Sequence, residues 1–168
     1  MGMDITVRRM RDDDARSFLN VHHAAVRGIA AKDYPQSVIE AWAPLPITES
    51  SISAFLVNRD GEIRLVAEVD GKIAGIGALV TANNELRACY VLPSASRQGV
   101  GSAIVRDIES IAWQHGLTFL QLDSSVTAEA FYQNLGYEIL ERGEHTLRPG
   151  MSMACVKMAK RLGPRLVP

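Results

Sequence analysis

Arg97-Gln98-Gly99-Val100-Gly101-Ser102 is the stretch whose reading sets the fold. An apolar run from Leu86 to Leu92, closed by Pro93, comes before it, and an amphipathic run from Ile104 to Trp113 follows. Strand, short glycine loop and helix in that order build an anion site. Glycines let the backbone approach a ligand closely. The free N–H groups of the first helical turn then point at a phosphate, aided by the positive end of the helix dipole. A phosphorylated ligand is the first expectation.

Upstream of the loop the pattern has period two. Ile63, Leu65, Ala67 and Val69 alternate with Glu62, Arg64, Glu68 and Asp70, as in a half-buried strand. Asp70-Gly71 signals a hairpin turn, with a return strand from Lys72 to about Val80. Asn83-Asn84 marks a further turn before the strand Glu85 to Leu92. Nearer the N-terminus, Ile5 to Arg9 reads as a strand and Asp14 to Ala31 as a helix. The acidic residues Asp12, Asp13 and Asp14 start that helix, and Phe18, Val21, Ala25 and Ile29 recur at helical spacing. Pro35 opens a short helix, Gln36 to Ala43, and Pro44 and Pro46 stop it. Thr48-Glu49-Ser50-Ser51 starts a third helix reaching Val57.

Downstream, the helix after the loop runs to His115 and ends at Gly116. Thr118 to Leu122 is a strand, Ser125 to Leu135 a helix ended by Gly136, and Tyr137 to Glu141 and Met151 to Met158 the final strands. This order predicts an α/β protein: a single domain over residues 1–168, with a central mixed sheet covered by helices on both faces.

Composition narrows the function classes. Of 168 residues, 47% are hydrophobic and 22% charged, with a formal net charge of −1, so no basic field exists to hold nucleic acid. Cys89 and Cys155 both lie in apolar runs and read as reduced, buried thiols rather than a disulfide or metal framework. No apolar stretch approaches the ~20 residues of a membrane span, and the N-terminus lacks a signal region. A cytoplasmic protein that uses no metal, membrane or nucleic acid is expected.

Two local matches resemble the GNAT family of acetyl-CoA-dependent N-acyltransferases. Tyr90-Val91-Leu92-Pro93, ahead of Gly99-Val100-Gly101-Ser102, is similar to the family's acetyl-CoA loop. Ala128-Glu129-Ala130-Phe131-Tyr132-Gln133-Asn134-Leu135-Gly136-Tyr137 resembles its late helix. With the strand order, the resemblance covers roughly residues 3 to 160. It departs in two places: Ser96 stands where the loop carries Gln or Arg, and Ser125 where the late helix begins with Asn. Segments around Ala25-Val26-Arg27, Asp33-Tyr34-Pro35 and Ala41-Trp42-Ala43-Pro44 are similar to a small bacterial subgroup. So is the run from Arg148 to Lys160.

The resemblance implies a GNAT fold, a mostly antiparallel mixed sheet, and acetyl-CoA as co-substrate, with the acetyl group passing directly to a primary amine of a small molecule or peptide. It implies that Arg97, Gln98, Gly99, Val100, Gly101 and Ser102 hold the pyrophosphate, that Val91 and Leu92 line the pantetheine arm, and that Ser125 touches the cofactor. It places Tyr132 as proton donor to the leaving thiolate: a phenol of pKa about 10 keeps its proton at neutral pH, and a thiolate of pKa about 8.5 accepts its hydrogen bond. It gives Glu85 the place of the general base, the alternatives being a solvated charge at the strand end with water or another group as base; Glu68 is a weaker choice. His22 and His23 read as polar residues on the surface of the first helix, although an imidazole suits neutral-pH proton transfer. Tyr34 and Trp42 either wall the acceptor site or pin the second helix to the sheet. Dimers are common in the family, so a homodimer is a further expectation.

Two competing classes remain. A CoA-binding sensor would keep the fold without turnover. A dinucleotide-dependent oxidoreductase is disfavoured, because its three-glycine fingerprint follows the first strand, with an acidic residue about 20 residues on.

Overall fold

The computed structural model describes residues 3–164. Seven strands form one sheet in the order β1-β2-β3-β4-β5-β7-β6, with β1 Ile5–Arg9, β2 Ile63–Val69, β3 Lys72–Val80, β4 Glu85–Val91, β5 Phe119–Ser125, β6 Glu138–Arg148 and β7 Met151–Arg161. Five helices cover it: α1 Ala15–Gly28, α2 Gln36–Trp42, α3 Glu49–Val57, α4 Val100–Gln114 and α5 Glu129–Asn134. All pairings are antiparallel except β4 with β5. This is the mixed, mostly antiparallel α/β sheet that the sequence predicts. No helix of the described residues is long and apolar enough to cross a membrane.

Local chemistry explains most element ends. Thr48 accepts a hydrogen bond from Ser51 N at 3.1 Å while Ser51 Oγ accepts one from Thr48 N at 2.8 Å, a reciprocal cap that starts α3. Asp70 and Gly71 both have positive φ, 51° and 83°, as a two-residue hairpin turn requires. Gly116 and Gly136 end α4 and α5 at φ 81° and 95°.

Four expected bounds shift. α1 stops at Gly28, and the chain to Lys32 tightens into a 3-10 turn. β5 runs on to Ser125, because β7 pairs with it that far. The helix expected from Ser125 begins as a 3-10 turn, Val126–Ala128, and becomes α-helical at Glu129. The last hairpin is longer than its apolar pattern, since β6 is exposed over most of its length and its polar residues continue the ladder to Arg148.

Two apolar layers hold the sheet. On one face α1 packs Phe18 and Val21 against Val66 and Ile76, while α2 packs Val38 and Ile39 with Met153. On the other face α4 buries Val100, Ile104, Val105 and Ile108 against β2 to β5. This helix lies close because β3 offers glycines beneath it. A β-carbon on Gly77 would sit 2.5 Å from Ile104 Cγ2, and one on Gly75 would sit 2.8 Å from both Ile104 Cδ1 and Val100 Cγ1. The close approach fixes the start of α4, and with it the glycine loop, over the end of β4.

Candidate active site

β4 and β5 begin side by side and then part. Their register holds a single pair, Glu85 with Gln121, reinforced by Gln121 N donating to Asn84 O at 2.8 Å. Beyond it the sheet opens into a wedge. Successive backbone groups of a strand point to opposite edges. Leu92 N donates to Ala74 O at 2.8 Å, on the β3 side. The registers Gly75↔Val91 and Gly77↔Cys89 therefore turn the backbone N–H and C=O groups of Val91 and Cys89 towards the wedge.

The glycine loop closes the wide end. Arg97 and Gly99 both adopt left-handed conformations, φ 61° and 86°, and Gly99 is the N-cap of α4, where no side chain caps the helix. The first-turn N–H groups are thus presented to the cleft. A β-carbon on Gly101 would lie 3.0 Å from Phe131 Cζ and 3.6 Å from Val91 Cγ2, so this position brings helix backbone against an aromatic ring. Ser96 does not replace the missing long side chain: its hydroxyl donates to Pro93 O at 2.9 Å and closes the turn before the loop.

A cleft of about 460 Å³ follows, within the range of small-molecule sites. Val91, Arg97, Gly99, Val100, Gly101, Ser102 and Ser125 line it, with Phe131 and Cys89. Two expected residues lie off this wall: Leu92 turns into the core and Gln98 is exposed. Burial pushes the Cys89 thiol up to about 12, so it stays a protonated apolar group rather than a nucleophile. Ser125 Oγ accepts from Ala128 N at 3.2 Å and starts the 3-10 turn.

Tyr132 is 6% exposed and packs between Phe131 and Tyr137, with ring centroids 5.0 and 5.7 Å away. It lies in the core cluster, while its neighbour Phe131 reaches the cleft. Burial raises its pKa well above the ordinary phenol value, so it holds its proton.

A second cavity, of about 240 Å³, shares Trp42, Tyr90 and Ser125 with the first and occupies the narrow part of the wedge. Glu85, Arg87, Asp123 and His145 border it. Both carboxylate oxygens of Glu85 are engaged: Arg87 Nη2 donates to Oε1 at 2.9 Å and Arg87 Nε to Oε2 at 3.3 Å. Arg87 also pairs with Asp60 at 2.5 Å. Glu68 lies elsewhere, paired with Arg8 at 2.9 Å across the β1–β2 strand pair. Sequence reasoning missed Asp123 and His145. The alternation of exposure in β5 puts Gln121, Asp123 and Ser125 on one face, and that signal would have found Asp123 had the strand been carried past Leu122.

The aromatic residues pin the second helix to the sheet, and Trp42 also reaches the cavities. Tyr34 donates its hydroxyl proton to Ala154 O at 2.6 Å and accepts from Val126 N at 2.9 Å, tying the segment before α2 to β7 and to the turn after β5. Trp42 packs edge-on to Tyr34 and Tyr90 and lines both cavities. The surface reading of His22 and His23 is corrected. Both are half-buried, because the face of α1 that carries them lies over β4. The His22 ring stands edge-on to Tyr90 at 4.7 Å, and burial with His23 beside it pulls its pKa down to about 3.

Comparison with known proteins agrees with this geometry. The acetyltransferase (GNAT) domain family matches residues 30–162. A GCN5-related N-acetyltransferase from Rhodopseudomonas palustris superposes with TM-score 0.85 at 26% identity, over 96% of this chain and 99% of the other. The PaiA N-acetyltransferase of Thermoplasma acidophilum, solved with coenzyme A, gives TM-score 0.73 at 20% identity over 95% and 99% of the two chains. The ribosomal-protein-S18-alanine N-acetyltransferase of Escherichia coli gives 0.67 at 17% identity over 96% of each. A split sheet, an uncapped glycine loop at its mouth and a matching domain profile lead to one conclusion: the chain belongs to the GNAT acetyltransferase family.

Proposed function

We propose that the protein transfers an acetyl group from acetyl-CoA directly to a primary amine of a small molecule or peptide. The observation that carries this reading is the wedge: a cleft at the uncapped start of α4 continues, past Trp42, Tyr90 and Ser125, into a second polar cavity. A donor and an acceptor can therefore meet from opposite ends.

In this reading the N–H groups of Val100, Gly101 and Ser102 hold the pyrophosphate, with Arg97 at the rim. Gly99 leaves the backbone bare there: a β-carbon on it would meet nothing within 4 Å, in a backbone conformation that suits glycine. Val91 offers its N–H to the thioester carbonyl and stabilises the charge that develops on it. Tyr132 is the assigned proton donor to the departing thiolate, and burial, which raises its pKa, keeps the phenol protonated at neutral pH. Glu85, whose two oxygens each accept one hydrogen bond from Arg87, borders the second cavity and can accept a hydrogen bond from an ammonium there. The thiol of Cys89 stays protonated, which favours direct attack by the amine over an acetylated enzyme.

The reading is tested by calorimetric titration with acetyl-CoA, then by thiol release with a panel of amines: aminoglycosides, polyamines, amino acids and peptide N-termini. Absence of acetyl-CoA binding would refute it. A CoA-binding module without turnover is the second reading, and the position of Tyr132 in the core rather than on the cleft wall favours it. Binding without thiol release for every amine would decide for that module.

A further inference from the structure

We propose that His145, oriented by Asp123, accepts the proton that the acceptor amine must lose before it attacks. The proposal rests on the acetyl-transfer reading above and adds a residue to it.

An amine at neutral pH arrives mainly as ammonium, so the site needs a proton acceptor on the acceptor side. Glu85 borders the cavity, but the Arg87 guanidinium donates to both of its oxygens and offsets its charge. Asp123 and His145 border the same cavity. They come from strands that do not touch: Asp123 lies on β5, opposite Lys157 of β7, and His145 on β6, opposite Met153 of β7. The two side chains meet across the face of β7, with His145 Nδ1 2.9 Å from Asp123 Oδ2. Gly143 sits two residues before His145, opposite Cys155, and leaves that stretch of β6 without a side chain.

A carboxylate cannot donate, so the contact requires the proton on Nδ1. In the neutral ring this leaves the Nε2 lone pair as the acceptor. Lys157 on β7 reaches Asp123 Oδ1 with its ammonium at 3.3 Å, and Glu85 and Arg87 on β4 border the same cavity. Lys157 fixes the second oxygen of Asp123, so the carboxylate is held from both sides while only one oxygen serves the ring.

The step balances. The ammonium loses one proton to His145 Nε2, and Asp123 offsets the charge of the imidazolium. The amine nitrogen forms a bond to the acetyl carbon, and the carbon–sulfur bond breaks. The second nitrogen proton leaves as the amide forms, in balance with the proton that Tyr132 gives the thiolate. Tyr132 is then reprotonated, and His145 passes its own proton to solvent; the imidazole is exposed enough for that exchange.

The experiment has two arms. In the first, His145→Gln and His145→Ala are assayed with the best amine found for the unaltered protein. We expect a roughly 100-fold fall in kcat/KM for the amine with unchanged acetyl-CoA affinity, and partial rescue of His145→Ala by added imidazole. Asp123→Asn should lose activity without rescue. Unchanged kcat/KM in His145→Gln overturns the proposal, as does a loss in His145→Ala that imidazole does not relieve. In the second, nitrogen NMR of the free protein reads the ring directly. A dominant Nδ1–H tautomer that disappears in Asp123→Asn supports the assignment; an Nε2–H tautomer overturns it. This arm requires no turnover, so an error in the base is separable from an error in the acetyl-transfer reading.

Discussion

The Cζ atom of Phe131 lies 3.0 Å from where a β-carbon on Gly101 would stand. The ring of α5 thereby presses on the first turn of α4. Gly101→Ala must push Phe131 back by a few tenths of an ångström, and Gly101→Trp must fill the mouth of the cleft. We expect acetyl-CoA affinity to fall a few-fold in the first and at least roughly tenfold in the second, a cost of about 1.4 kcal/mol. Calorimetry measures both, and unchanged affinity in Gly101→Trp would remove the phosphate site from this loop.

Tyr132→Phe keeps the ring that packs between Phe131 and Tyr137 and deletes only the hydroxyl. If the phenol donates to the thiolate, kcat falls roughly 10- to 100-fold while the acetyl-CoA dissociation constant stays put. Equal turnover in the variant would leave Tyr132 as a core residue alone.

Glu85→Gln tests the carboxylate clamped by Arg87. A general base at this position would cost about 100-fold or more when neutralised. The bidentate contact predicts a milder outcome, less than tenfold in kcat, with a rise in KM for a cationic amine. Steady-state kinetics against one charged and one neutral acceptor separates these results.

Gly77 admits α4 to the sheet, and Gly77→Ala would put a methyl 2.5 Å from Ile104 Cγ2 and 3.0 Å from Ile108 Cδ1. Both neighbours are fully buried. Overpacking of this kind costs about 1–3 kcal/mol. A lowered denaturant midpoint with an unchanged slope is the expected reading.

His22 gives the fold a pH dependence. Its pKa is about 3 in the folded state, against about 6.5 for an ordinary histidine. Between these values the unfolded chain binds the proton and the folded one does not, so stability falls as pH drops from about 6 towards 3. The slope reaches at most roughly 1.4 kcal/mol per pH unit. Asp14 acts only at the acidic end: Arg8 lowers its carboxyl below the usual value, so its contribution is present above about pH 4 and is lost below. His22→Gln should therefore reduce the slope of the stability profile between about pH 6 and 4, leaving the part due to His23, whose pKa burial also lowers, and the more acidic part in place.

The sequence makes the scaffold legible where short-range chemistry decides. The Asp70-Gly71 turn, the Thr48 cap and the glycine loop all rest on residues within five positions of each other. The wedge is different. Nothing local to Glu85 or Gln121 says that two parallel strands share one pair and then separate. The second cavity escapes for the same reason. Asp123 and His145 are 22 residues apart and meet only because β7 inserts between their strands. His22 misleads for a related reason: its burial comes from Tyr90, a residue of another element.

The single pair between Glu85 and Gln121 has a mechanical meaning as well. The seven strands of the described residues amount to a four-stranded and a three-stranded sheet joined by one rung, with α4 packed on residues of both. A ligand that hydrogen-bonds the inward-facing backbone of Cys89 and Val91 would act as the missing rungs. Donor binding would then brace the molecule itself, coupling the two halves before any acceptor arrives.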